Sequence, residues 1–142
     1  MRDLETIQTA ITAAETGHLV LATLHTFNTE GAIHRIIDVF PPHQQSQIRY
    51  QLASVLVAII AQRLFPSVDR KGQRLATEIL INNPAVANLI RTDKVYQIIN
   101  VIQLSRQQGM HTFELSIRNL VKSNQISKED ADLFLQEKRS YG

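Results

Sequence analysis

The chain has no cysteine and no tryptophan. The first absence excludes disulfides and thiolate metal ligands, and it fits a cytoplasmic protein. The second, with aromatics at only 6%, leaves the core to Ile, Leu, Val and Ala, which a hydrophobic content of 44% supplies. No apolar run approaches the ~18 residues of a membrane span; the longest, residues 55–61, is far shorter. No signal-peptide pattern opens the chain. Glycines number five, and none stands in a Gly-x-x-x-x-Gly-Lys-[Ser/Thr] loop, whose backbone N–H groups would hold phosphates. Charge of one sign is also scarce: 15 basic and 13 acidic residues leave +2. The tightest basic cluster, Arg70, Lys71 and Arg74, reads as a solvated hairpin tip. Nucleic-acid binding would want a basic stripe interleaved with aromatics, so it is not expected. No pair of histidines or carboxylates has ligand spacing on one helix face, so no metal ligand set is expected either. No repeat or low-complexity segment breaks the 142 residues, which suit one domain or most of one.

What is present concentrates in residues 17–26. Residues 18–25 are mostly apolar, with His18 and His25 at the ends and hydroxyls at Thr16, Thr23 and Thr26. Such a run predicts a strand buried on both faces. Polar residues at the end of such a strand sit at the rim of a sheet, where open α/β folds bind ligands. His25 and Thr26 are therefore the leading site candidates. The plainer alternative for His25 is a hydrogen-bonded core or edge residue. His18 stands at the opposite end, about 23 Å away along an extended strand, so the two do not share one ion, and His18 reads as structural.

The periodicity lays out the rest. Leu4, Ile7, Ile11 and Ala14 mark one face of a helix, with Asp3 as N-cap and Gly17 as a left-handed stop. This helix followed by a buried strand is the second part of a right-handed crossover in a parallel sheet. The first strand of that unit would precede residue 1, and the exposed faces it leaves favour self-association. After a polar turn at 27–30, Ile33, Ile36, Ile37 and Phe40 mark a short helix stopped by Pro41 and Pro42. A helix from about Gln44 carries Ile48, Leu52 and Val55. Residues 56–65 read as a further buried strand, and the alternation through 75–82 as a strand antiparallel to it. Asn83 followed by Pro84 opens a helix. Val95, Ile98, Ile99 and Ile102 form a stripe ending near Gly109. Thr112 caps a helix carrying Phe113, Ile117, Leu120 and Val121. Ser127 and Asp130 form a capping-box pattern ahead of Ala131, Phe134 and Leu135.

A resemblance adds to this reading. The pieces 1–7, Ala13-Ala14-Glu15-Thr16-Gly17-His18 and Thr23-Leu24-His25-Thr26 resemble the secretion-superfamily ATPases, in which the first follows the Walker B strand and its glutamate and the second is the His box. Asn83-Pro84-Ala85-Val86-Ala87-Asn88-Leu89-Ile90-Arg91-Thr92 resembles the signature helix of the type IV pilus retraction (twitching-motility, PilT-type) ATPases, usually Ala-Ile-Arg-Asn-Leu-Ile-Arg-Glu. Ala87 and Thr92 depart from it; Asn88, Leu89, Ile90 and Arg91 keep it. Gly109-Met110-His111-Thr112 resembles that family's Gly-Met-Gln-Thr segment.

The resemblance implies an α/β chain, with residues 1–82 as the C-terminal part of a RecA-like P-loop NTPase core and 83–142 as a small helical subdomain. It implies ATP and Mg²⁺ as the family's cofactors, a hexameric ring, the pilus inner-membrane platform as partner, and a cytoplasmic place at the pilus base. His25 would sense the γ-phosphate as the catalytic residue, with Thr23 and Thr26 orienting it and Arg2 near the nucleotide. Arg91 and its neighbours would serve retraction, unless Leu89 and Ile90 simply pack the helix while Arg91 caps or forms an ion pair. Lacking the phosphate loop and the Walker B glutamate, the chain alone is expected to hydrolyse no ATP and to bind no nucleotide tightly. The alternatives are a non-catalytic helical interaction module and a fragment of a related pilus-assembly or type II secretion ATPase.

Overall fold

A computed structural model describes residues 3–140, with side chains through residue 137. Helix α1 (Leu4–Glu15) starts where the Asp3 carboxylate accepts the Thr6 N–H at 2.9 Å and the Thr6 hydroxyl at 2.8 Å. It ends at Gly17, whose φ of 90° is left-handed. Helices α2 (Thr29–Asp38) and α3 (Pro42–Val55) follow, separated at Pro41 and capped at the front of α2 by Asn28, which accepts the Gly31 N–H at 2.7 Å. Proline at the first position lets α3 begin two residues before Gln44, because a first-turn N–H is not missed there.

Strands β1 (Ala58–Pro66) and β2 (Gln73–Ile81) form an antiparallel hairpin in register from Ala58 opposite Ile81 to Pro66 opposite Gln73. Helix α4 (Pro84–Arg91) carries the expected Asn83 cap on the Val86 N–H at 2.9 Å. The stripe from Val95 is broken rather than continuous: a 3-10 turn at Val95–Gln97, helix α5 (Ile98–Leu104), and a second 3-10 turn at Arg106–Gln108 closing on Gly109 at φ 89°. Helices α6 (Phe113–Lys122) and α7 (Lys128–Ser140) complete the fold. Thr112 accepts the Leu115 N–H; the Ser127 hydroxyl accepts the Asp130 N–H at 3.1 Å and donates to the Asp130 carboxylate at 2.8 Å, so the side chains pair with each other at the start of α7.

Two apolar cores result. The first joins Ile7 and Ile11 of α1, Ile33, Ile37 and Phe40, Ile48 and Leu52, Leu80 of β2, and Val86, Ile90, Ile98 and Ile102. The second joins Ala61, Phe65 and Ala76 of the hairpin to Phe113, Ile117, Ile126, Ala131 and Phe134. Strand β2 lies between them, supplying Leu80 to one and Ala76 to the other.

Two strand expectations are corrected. Residues 18–25 run extended but pair with no strand among the described residues, and Leu19 and Leu21 are 81% and 87% exposed. The parallel sheet expected around them is not formed among the described residues. Apolar side chains on a strand are buried only where flanking strands and helices cover both faces, and here only Leu24 reaches the first core. Strand β1 is likewise not buried throughout: Ala61 and Phe65 point inward, while Ile60 and Leu64 are 57% and 55% exposed on the outer face of a two-stranded hairpin.

Candidate functional site

His25 sits at the C-terminal end of the extended segment, where the chain turns into α2. Its side chain is exposed and makes no hydrogen bond among the described residues. The four residues after it are each held. The Thr26 hydroxyl donates to the Asn28 carbonyl at 3.4 Å. Phe27 stacks on Phe134 of α7 with centroids 5.1 Å apart and planes 11° off parallel. Asn28 caps α2, and Thr29, only 1% exposed, donates both its N–H (3.2 Å) and its hydroxyl (2.8 Å) to Glu78 Oε1. A solvent-facing imidazole thus stands on an anchored turn. That is a geometry for presenting one hydrogen-bonding group outward rather than for packing it inward.

His25, Thr26 and Phe27 line an open depression of about 380 Å³ with Gln62, Arg63 and Phe134. The Arg63 guanidinium lies 5.4 Å from the Phe134 ring centroid and 3.7 Å from the Glu137 carboxylate, half-exposed at the rim. The depression therefore offers an imidazole, a hydroxyl, an amide and one guanidinium already shared with a carboxylate. The sequence contributes no Gly-x-x-x-x-Gly-Lys-[Ser/Thr] loop, the pattern whose backbone N–H groups cradle phosphates, to this depression. Among the described residues no group of three or more His, Asp or Glu is placed to hold a metal.

The other predicted site residues are dispersed. Thr23 lies two residues before His25 on the exposed stretch. Arg2 lies outside the described residues. The His18 ring nitrogen Nδ1 is 3.2 Å from the Ala13 carbonyl and 3.1 Å from the Thr16 hydroxyl, so it closes the C-terminus of α1. In α4, Ile90 is fully buried and Leu89 packs on the first core, while Asn88 is exposed. The Arg91 side chain forms no ion pair among the described residues, although it sits in the last helical turn, where a cation is favoured. Ala87, standing where the resembling helices carry arginine, is 7% exposed, and Thr92 closes the helix through its N–H and hydroxyl, both on the Asn88 carbonyl.

Sequence reasoning passed over Glu78. Its carboxylate is 2% exposed and receives the start of α2 at Oε1 and the Phe113 N–H, at the start of α6, at Oε2 (3.4 Å). The available signal was a charge on the β2 face that carries Ala76 and Leu80, but only the arrival of two helix N-termini there explains it.

No helix among the described residues is long and apolar enough to cross a membrane. With a mixed α/β fold and an outward-facing histidine at the end of an extended segment, the class can be stated. Residues 1–114 match the profile of the Type II/IV secretion system protein family, and the chain belongs to that family. Within it, the chain is 45% identical over 140 residues to the twitching motility protein of Neisseria gonorrhoeae, covering 99% of this chain and 37% of the relative. It is 45% identical over 131 residues to the type IV pilus retractation ATPase PilT of Pseudomonas aeruginosa, covering 92% and 38%. Its fold superposes on the crystal structure of the pilus retraction motor PilT with bound ADP at a TM-score of 0.84, with 46% identity over 94% of this chain and 37% of that one. The chain therefore spans a little over a third of the length of these relatives. The resemblance to retraction ATPases read from the signature helix agrees with these similarities, and so does the C-terminal RecA-like α/β fold.

Proposed function

We propose that this chain is the back portion of a ring-forming ATPase that retracts a type IV pilus, and that it contributes one edge of the ATP site. The observation that carries this reading is the anchored turn that holds His25 outward, in a chain similar over nearly all its length to retraction ATPases. Phosphoryl transfer needs positioned phosphates, Mg²⁺, a water-orienting base and positive charge on the transition state. Of these, the chain supplies a hydrogen-bond donor: the His25 imidazole donates to the terminal phosphate through a ring N–H. On this reading Thr23 and Thr26 orient the imidazole, and Arg2, outside the described residues, is assigned to the nucleotide by the resemblance alone. The phosphate loop and the Mg²⁺-binding groups come from the region of the relatives that this chain does not cover. On this reading residues 1–82 complete the RecA-like core, residues 83–142 form the helical subdomain, and Arg91, with no ion pair among the described residues, serves contacts specific to retraction. A hexameric ring on the cytoplasmic face of the pilus platform is the assembly that goes with it.

The bare apolar faces favour this reading over an autonomous interaction module. A groove of about 1330 Å³ runs between α1, the extended segment and β1, lined by Ile7, Ile11, Leu21, Leu56 and Ile59 among others. It is filled on this reading by the remaining strands of the ATPase core. The test is a fusion in which this chain replaces the matching region of the Pseudomonas relative. Mg²⁺-dependent ATP turnover in a ring-sized species, lost on His25→Ala while the chain alone hydrolyses nothing, is the expected result. A fusion that folds and assembles but turns over no ATP, or keeps full turnover without His25, would move the weight to the interaction module.

A further inference from the structure

Glu78 is a buried carboxylate for which the ATPase reading has no use, and its surroundings give it one. It projects from β2 toward the junction of the two cores, opposite Ala61 in the hairpin register. Its two oxygens take different elements. Oε1 accepts the Thr29 N–H and hydroxyl, at the first residue of α2 and four residues beyond His25. Oε2 accepts the Phe113 N–H at the first residue of α6. Both are helix N-termini, whose leading N–H groups lack intrahelical acceptors and favour negative charge. An ionised carboxylate accepts only, so it can meet these donors at once; an amide of the same shape must turn an NH₂ toward one of the helix starts.

We propose, resting on the ATPase reading above, that Glu78 is a positioning residue for His25. Through Thr29 it fixes where the extended segment ends against β2, and through Phe113 it ties that point to α6. The Phe27–Phe134 stack is a second tie from the same turn to the helical region. The His25 ring itself is bonded to nothing among the described residues, so its placement rests on these anchors. A shift of about 1 Å in a group that contacts the reacting centre can cost up to a hundredfold in rate, so the anchors are where His25 is aimed.

The test separates placement from mere stability. In the chain itself, the imidazole Cε1–H signals of the five histidines report locally. Thr29→Val removes the hydroxyl donor at constant shape, and it is expected to shift and broaden the His25 signal while those of His18 and His43 stay in place. Thr29→Ser restores the native signal. Glu78→Gln is the second arm, with the same selective shift expected. In the fusion described above, Thr29→Val lowers kcat about tenfold with KM for ATP nearly unchanged, and Thr29→Ser restores it. A His25 signal that does not move, or one that moves only together with those of His18 and His43 as the whole fold loosens, would overturn the proposal. So would an active fusion whose kcat ignores Thr29→Val. A wild-type fusion without turnover would sink the ATPase reading instead, and the histidine signals would still decide whether Glu78 places His25.

Discussion

The extended segment 18–25 and strand β2 are built from similar residues, and they meet opposite fates. The first carries Leu19, Val20, Leu21 and Leu24; the second carries Ile79, Leu80 and Ile81 beyond the exposed Leu75. Leu21 is 87% exposed and Leu80 fully buried. The difference lies in what covers them. Strand β2 pairs with β1 and is covered by α2 on one side of the junction and α6 on the other, through Leu80, Glu78 and Ala76. Segment 18–25 finds no ladder partner among the described residues. Apolar content makes a strand suitable for burial, but the covering elements decide whether burial occurs.

The comparison is broken most directly at its two leucines. Leu80→Ala deletes buried methyl groups from the first core and is expected to cost about 2–5 kcal/mol, whereas Leu21→Ala is expected to stay within about 0.5 kcal/mol. Urea denaturation of both variants measures this, and equal costs would end the contrast. The same pair sharpens the functional reading when moved into the fusion. If the remaining core strands cover the segment there, Leu21→Ala becomes costly, by about 2 kcal/mol or more, and a denaturation midpoint that still ignores the change would show the segment bare in the larger protein too.

A smaller effect isolates local from tertiary contributions. Asn83→Ala removes the side-chain acceptor that caps α4 at the exit of β2 and should cost about 1 kcal/mol. Asn83→Ser should recover most of it, as thermal melts of the two variants can show. The smallest effect belongs to the other region, at Asp3. The Thr6 N–H, and then the Thr6 hydroxyl, hold this carboxyl below its ordinary 3.8. A lowered carboxyl contributes stability that is fully present above its unfolded value and is lost as pH falls through the folded one. The wild-type chain should therefore lose more stability than Asp3→Asn between neutral pH and pH well below 3.8. Identical acid dependence of the two melting curves would remove the cap from the account.

Much of the fold was legible because its signals are local. Asp3, Asn83, Thr112 and the Ser127–Asp130 pair each cap the helix that follows within three residues, and Gly17 and Gly109 adopt the left-handed stops that their positions call for. The hairpin could be read because alternation of period two over Gln73–Ile81 has no helical counterpart. The stripe ending near Gly109 is legible as spacing, but the 3-10 turns at Val95–Gln97 and Arg106–Gln108 leave no mark in that periodicity. The site was legible at His25, where a polar pair ends an apolar run. It was not legible at Glu78, since a charge within an alternating strand reads as solvent-facing, and its partners stand 49 and 35 residues away.

By itself the sequence determined the helices, their caps, the hairpin and the candidate histidine, because each depends on residues a few positions apart. Tertiary structure decided which apolar strands are covered, which face of β2 turns inward, and why a carboxylate sits there. Those outcomes depend on elements brought together from distant parts of the chain, since buried polar groups must find partners and apolar faces must find cover.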